Sequence, residues 1–197
     1  MIFAYRTDDT IYFAYNASHF NPMSTNPSII NNADNLPFFL IKNNPHTIVL
    51  GQSFQREIDV LRYEQLIPGK LTKTNVIKHT LTLMHKKLTR YGLIDKDGEF
   101  SNIYLFAQNT SLLKLSYDKK ITAIERFYSC SHSDIVAGCL ALAKDLNPLD
   151  TIRYVFDTVC DYTQDLAYPI VVIDTKSEQI QYLRKEGTYA NKPGNES

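Results

Sequence analysis

The stretch Ile2-Phe3-Ala4-Tyr5-Arg6-Thr7-Asp8-Asp9-Thr10-Ile11-Tyr12-Phe13-Ala14-Tyr15-Asn16 decides the fold. Two runs rich in β-branched and aromatic residues flank the turn-like Arg6-Thr7-Asp8-Asp9, so the chain is expected to open on a β-hairpin at its first residue. No basic start and long apolar stretch stand ahead of it, so no signal peptide is expected. Residues 17–35 are rich in Asn, Ser and Pro and read as a long loop, a feature that in compact domains is usually functional or mobile.

Outward from the hairpin, strands are predicted at 37–42 and 47–51. The period changes near Ser53: Phe54, Ile58, Leu61 and Leu66 recur at helical spacing until Pro68-Gly69. A second helix is predicted over 74–91, with Ile77, Leu81, Met84 and Leu88 on one face and Gly92 past its end. Strands return at 102–108, 112–117 and 121–130. A helix over 133–145 follows, then one over 150–165 capped by Asp150, then a closing hairpin at 169–174 and 179–183. Strand blocks separated by helix pairs indicate an α+β protein. Runs apolar on both faces, such as Phe38-Phe39-Leu40-Ile41 and Ile170-Val171-Val172-Ile173, need cover on two sides. A four-layer αββα sandwich of two mostly antiparallel sheets flanked by helix pairs supplies it.

The 197 residues suit one domain, expected over 1–183, with a polar and flexible tail over 184–197. Lys+Arg and Asp+Glu are 21 each, and this zero net charge speaks against wholesale nucleic-acid binding. No apolar run approaches the roughly 18 residues of a membrane span. Cys130, Cys139 and Cys160 show no CxxC pairing and read as reduced thiols of a cytoplasmic protein. No phosphate loop, CxxC pair or HExxH pattern is present, so neither a cofactor nor a metal is expected. His79 and His85 lie about 240° apart around a helix and cannot share a metal by themselves.

The element order resembles that of the proteasome-like branch of the amino-terminal-nucleophile (Ntn) hydrolases, including the bacterial proteasome-like peptidase subunits. Three passages carry the resemblance: the opening hairpin; the strand–turn–helix Thr47-Ile48-Val49-Leu50-Gly51-Gln52-Ser53; and the strand–turn–helix Phe127-Tyr128-Ser129-Cys130-Ser131-His132 leading into Ala137-Gly138-Cys139-Leu140-Ala141-Leu142. The resemblance implies a threonine, serine or cysteine at the first position that attacks a carbonyl, with its own α-amine as base. Here that position is Met1, which has no such nucleophile, and the bulky Ile2 is expected to keep it in place. The family's aspartate falls on Asn16. Its lysine falls near Leu36-Pro37, with Lys42 the nearest lysine, and its Ser-Gly-Gly turn becomes Cys130-Ser131-His132. The resemblance therefore implies a degenerate, non-catalytic relative whose vestigial cleft holds Met1, Asn16, Ser131 and His132.

Candidate chemistry elsewhere is weighed against plainer readings. Cys130 and His132, with Asp134 nearby, are the parts of a thiol nucleophile system, but neighbours on a turn rarely face one another. The plainer reading is a strand-end cysteine and a helix cap by Ser131 or Ser133. Thr7 and Thr10 read as hairpin-turn caps rather than nucleophiles. Charge is segregated: Lys70, Lys73, Lys78, Lys86, Lys87 and Arg90 form a basic helical region, whereas Asp145, Asp150, Asp157, Asp161 and Asp165 face only Arg153. Two solvated faces explain this; so does self-association, basic helix on acidic helix. The leading reading is a non-catalytic scaffold or self-assembling subunit. The alternatives are a peptide or amide hydrolase using Cys130, and a small-molecule binder with Tyr5, Asn16, Ser131 and His132 near its mouth.

Overall fold

The computed structural model describes residues 1–16, 38–41, 47–51, 55–64, 72–75, 81–163, 166 and 168–184. These residues form ten strands and five helices in the order β1 (Ile2–Arg6), β2 (Ile11–Asn16), β3 (Phe38–Ile41), β4 (Thr47–Gly51), α1 (Gln55–Glu64), α2 (Lys73–Asn75), α3 (Thr82–Arg90), β5 (Tyr104–Gln108), β6 (Ser111–Leu115), β7 (Ile121–Ala123), β8 (Phe127–Ser129), α4 (Ser133–Leu142), α5 (Pro148–Thr163), β9 (Ile170–Asp174) and β10 (Gln179–Leu183). One sheet has the order β10-β9-β2-β1-β8 and the other β3-β4-β5-β6-β7. Every pairing is antiparallel.

Three apolar layers hold the elements together, and strand alternation assigns side chains among them. In β1, Ile2 and Ala4 face inward with Ile48, Leu50 and Leu105 of the other sheet. Met1 and Phe3 point the opposite way, into a layer with Val136 and Leu140 of α4 and Ile152, Val155, Phe156 and Val159 of α5. Beyond the second sheet, Val49, Tyr104 and Phe106 pack with Ile58 of α1 and Met84 and Leu88 of α3. This is helix–sheet–sheet–helix, and the central strands β2, β4, β5 and β9 are buried on both faces. Gly51 is where α1 comes closest: a Cβ there would lie 2.3 Å from Ile58 Cδ1.

The second helical layer carries a buried carboxylate. Glu57, in the first turn of α1, has no exposed surface. It accepts hydrogen bonds from the Ser101 N–H at 2.9 Å, the Asn102 side-chain amide at 3.0 Å and the Tyr104 hydroxyl. Burial, with the Glu57 charge second, pushes the Tyr104 phenol well above its ordinary range, so it stays a donor.

Several boundaries differ from the sequence reading, each for a physical reason. The single strand expected at 121–130 is two strands, β7 and β8, at the edges of different sheets. At the crossing, the Ile124 N–H donates to Leu112 O, and Arg126 O accepts from the Arg6 N–H. Of the helix expected at 74–91, α2 and α3 are helical as expected, and 76–80, with Ile77, lie outside the described residues. The cap of α5 is Asn147, whose Oδ1 accepts from the Asp150 N–H at 3.0 Å, rather than Asp150 itself. Helix α4 stops at Leu142, with the Ala143 N–H closing on Cys139 O. The expected tail lies outside the described residues beyond Arg184.

Candidate functional site

The ends of β1, β2 and β8 meet where the sequence reading placed the vestigial cleft. Met1 and Asn16 are opposite one another: the Asn16 N–H donates to Met1 O at 3.3 Å, and the Met1 ammonium donates to Asn16 Oδ1 at 2.6 Å. Both residues are buried. From the other flank, Cys130 follows β8. Its N–H donates to Ile2 O at 3.0 Å, and its sulfur accepts the Ile2 N–H at 3.0 Å. Its thiol also points to Ser131 Oγ at 3.9 Å. Cys130 is half-buried and packs against both the inter-sheet layer and the helix layer. Burial lowers the Met1 amine below its ordinary value, while the nearby sulfurs of Cys130 and Cys160 act in the opposite direction.

Ser131 and His132 form the turn into α4, and the cap position falls on His132 rather than on Ser131 or Ser133 as expected. The residue before the helix is His132, with no side-chain cap bond and a left-handed backbone at φ 56°. That conformation favours glycine, and glycine is what the resembled family has in this turn. His132 therefore holds, with a bulky side chain, a backbone shape that glycine adopts more easily. The hydrogen bonds of Cys130 run to Ile2 and Ser131, not to His132, so the three adjacent residues form no triad. Asp134 sits exposed in the first turn of α4, where the helix dipole favours it.

The other candidates are placed as follows. Thr7 and Thr10 do cap the hairpin turn: the Thr7 hydroxyl donates to Thr10 O at 2.9 Å and accepts from the Thr10 N–H at 3.1 Å. Tyr5 is separated from the Met1 end of its strand; it pairs with Tyr12 and Phe127. It lines a polar groove of about 690 Å³ with Arg6, Thr7, Asp8, Glu125 and Arg126, a groove that does not include Asn16, Ser131 or His132. His85, expected on a solvated surface, is half-buried and packs edge-on against Phe100 at 6.3 Å. Lys70, Lys78, Asp165, His19, His46 and His79 lie outside the described residues, as does the position expected for the family's lysine. Lys87 is bound to Glu64 at 2.7 Å, and Asp157 accepts from the Tyr168 hydroxyl. Lys73, Lys86, Arg90, Asp150 and Asp161 are exposed. Among the described residues, no group of three His, Cys, Asp or Glu could hold a metal ion, and no helix is long and apolar enough to cross a membrane.

The layering, the two sheet orders and the hairpin that begins at the first residue define the proteasome-like, Ntn-hydrolase fold. Solved structures agree. The chain is similar to Anbu (ancestral beta-subunit) from Yersinia bercovieri at 14% identity and TM-score 0.61, over 95% of this chain and 88% of that one. It is similar to Thiobacillus denitrificans BPH in complex with epoxomicin at 12% identity and TM-score 0.65, over 93% and 98%. A helical assembly of the Anbu complex from Pseudomonas aeruginosa matches at 13% identity and TM-score 0.56, over 95% and 88%. No protein-family model and no curated protein matches the sequence.

Proposed function

We propose that this chain is a proteasome-like subunit that assembles with copies of itself and does not use its first residue as a nucleophile. The observation that carries the reading is the first position of the hairpin. With the chain starting at Met1, a thioether is sealed into the core where the fold's hydrolases hold a hydroxyl or thiol, and the amine rests on Asn16 rather than on a carboxylate. A sulfur in a thioether has no proton to give up and cannot form an acyl intermediate that water then clears. The Anbu assembly of the same fold supports the oligomeric part of the reading.

One observation favours a second reading, amide or peptide hydrolysis by Cys130. Its sulfur lies against the Ile2 N–H, beside an amine whose neutral form burial favours. In that reaction the Met1 amine takes the thiol proton, the sulfur bonds to the substrate carbonyl, and the amine returns the proton to the departing nitrogen. Water then releases the acid and restores the thiol. The structure of Thiobacillus denitrificans BPH in complex with epoxomicin, of the same fold, supports a ligand-taking site in this reading.

Turnover of a panel of fluorogenic peptides separates the two. The subunit reading predicts no release above a no-protein control. It also predicts that a mild alkylating reagent at neutral pH fails to single out Cys130 over Cys139 and Cys160 in the folded chain. Turnover that disappears in Cys130→Ala, with selective labelling of Cys130, would replace the first reading by the second.

A further inference from the structure

The two outer helix layers are chemically unlike in a way that neither the core nor the site uses. On α3, which covers the second sheet through Met84 and Leu88, the outward residues Leu83, Lys86 and Arg90 fall at helical spacing. Tyr91 closes this stripe at 48% exposure, and Tyr63 of α1 stands nearby at 80%. Glu64 is engaged by Lys87 and by the Tyr91 hydroxyl, and Asp59 is an exposed acid of α1 one turn before Tyr63, so the positive charge of the stripe itself is that of Lys86 and Arg90. On α5, which covers the first sheet through Ile152, Val155, Phe156 and Val159, the outward residues are Asp150, Tyr154 and Asp161. Tyr162 joins them at 77% exposure. Arg153 is half-buried, so the exposed charges of this stripe are acidic.

Each stripe is a pair of charges set among exposed aromatic and aliphatic side chains, and the signs are opposite. Aromatic anchors ringed by complementary charge suit a protein–protein contact, and the charges set its register. We propose that the chain associates head to tail, the α5 stripe of one copy docking on the α3 stripe of the next. This rests on the self-assembling reading above and specifies its geometry. The stripes belong to the first and fourth layers of the sandwich, so they face away from one another. The contact is therefore heterologous: each copy keeps one free basic and one free acidic face, and growth continues until a ring closes or a helical fibre extends. Lys73 on α2 adds exposed positive charge to the α3 side.

Charge exchange tests this with the full chain, using Lys86→Glu with Arg90→Glu in one protein and Asp150→Lys with Asp161→Lys in a second. All four side chains are exposed, so the first protein should keep the wild-type melting temperature; the second loses the Asn147–Asp150 bond at the start of α5 and should melt somewhat lower while staying folded at room temperature. Light scattering after size-exclusion chromatography should show a wild-type oligomer that shrinks as salt is raised. Each variant alone carries like-charged stripes and should fall to the 22.6 kDa of one chain. An equimolar mixture restores opposite signs at both contacts and should recover the wild-type mass. A wild-type chain that is monomeric at low salt would overturn both this proposal and the assembly reading. Variants that remain as large as wild type, or monomeric variants that fail to recover on mixing, would overturn the head-to-tail contact while leaving the assembly reading standing.

Discussion

Replacing Glu57 by alanine is expected to lower the unfolding free energy by about 3–5 kcal/mol, because three donors lose their acceptor in a dry layer. The Ser101 N–H, the Asn102 amide and the Tyr104 hydroxyl converge on this one side chain. Glu57, Asn102 and Tyr104 have essentially no exposed surface, so water cannot substitute. For a domain of this size each kcal/mol moves the melting temperature by roughly 2–4 °C, so a fall of roughly 10 °C or more is expected in a thermal scan. Glu57→Gln keeps one acceptor oxygen and should lose distinctly less. A variant with alanine that melts within a degree or two of wild type would mean that the cluster is solvated.

Asn16 is expected to give the second large effect, and its size should depend on pH. Asn16→Leu leaves the buried Met1 ammonium without the acceptor it now has at 2.6 Å, at a cost of about 2–3 kcal/mol where the amine is charged. The sign with pH follows from the amine, which burial holds below its ordinary value of 8.0. Between the lowered native pKa and 8.0 the unfolded chain keeps a proton that the native chain has shed, so this group's contribution to stability rises with pH across that interval. The Leu variant should therefore recover part of its deficit as pH approaches 8. Asn16→Asp does the opposite. A carboxylate facing the ammonium raises the native pKa, so the pair stabilises below the ordinary value of the amine and loses that contribution as pH rises through the native value. Urea midpoints from pH 6 to 9 should show wild type gaining on Asn16→Asp; parallel profiles would mean that the amine is not buried against residue 16.

The fold was legible because its signals are local and repeat along the chain. The β-branched and aromatic run Ile11-Tyr12-Phe13-Ala14-Tyr15 and the doubly apolar Ile170-Val171-Val172-Ile173 each specify a strand, and the second requires layers on both faces. The split of 121–130 was missed because the chain crosses from one sheet edge to the other without a glycine or a proline; the charged pair Glu125-Arg126, at the bend, is the signal that could have marked it. The Glu57 cluster was also hidden. A glutamate in a helix's first turn looks like an ordinary solvated charge, and its donors come from 44 to 47 residues further on. At the candidate site, resemblance supplied Met1, Asn16 and Cys130-Ser131-His132. No local pattern could place Cys130 against Ile2, which is 128 residues away. The one available signal for His132 was the resembled family's glycine turn, and its left-handed backbone is what that turn requires.

The intact mass of the native protein after purification tests the central claim most directly. A chain that used an amino-terminal nucleophile would have to begin at a threonine, serine or cysteine, and a cut that exposed one would show in the mass. The account predicts a single species of 22.6 kDa that begins at Met1, with the thioether in the place of a nucleophile. A shortened chain that begins at Thr7, Thr10 or Ser18 would contradict it and would name the nucleophile at once.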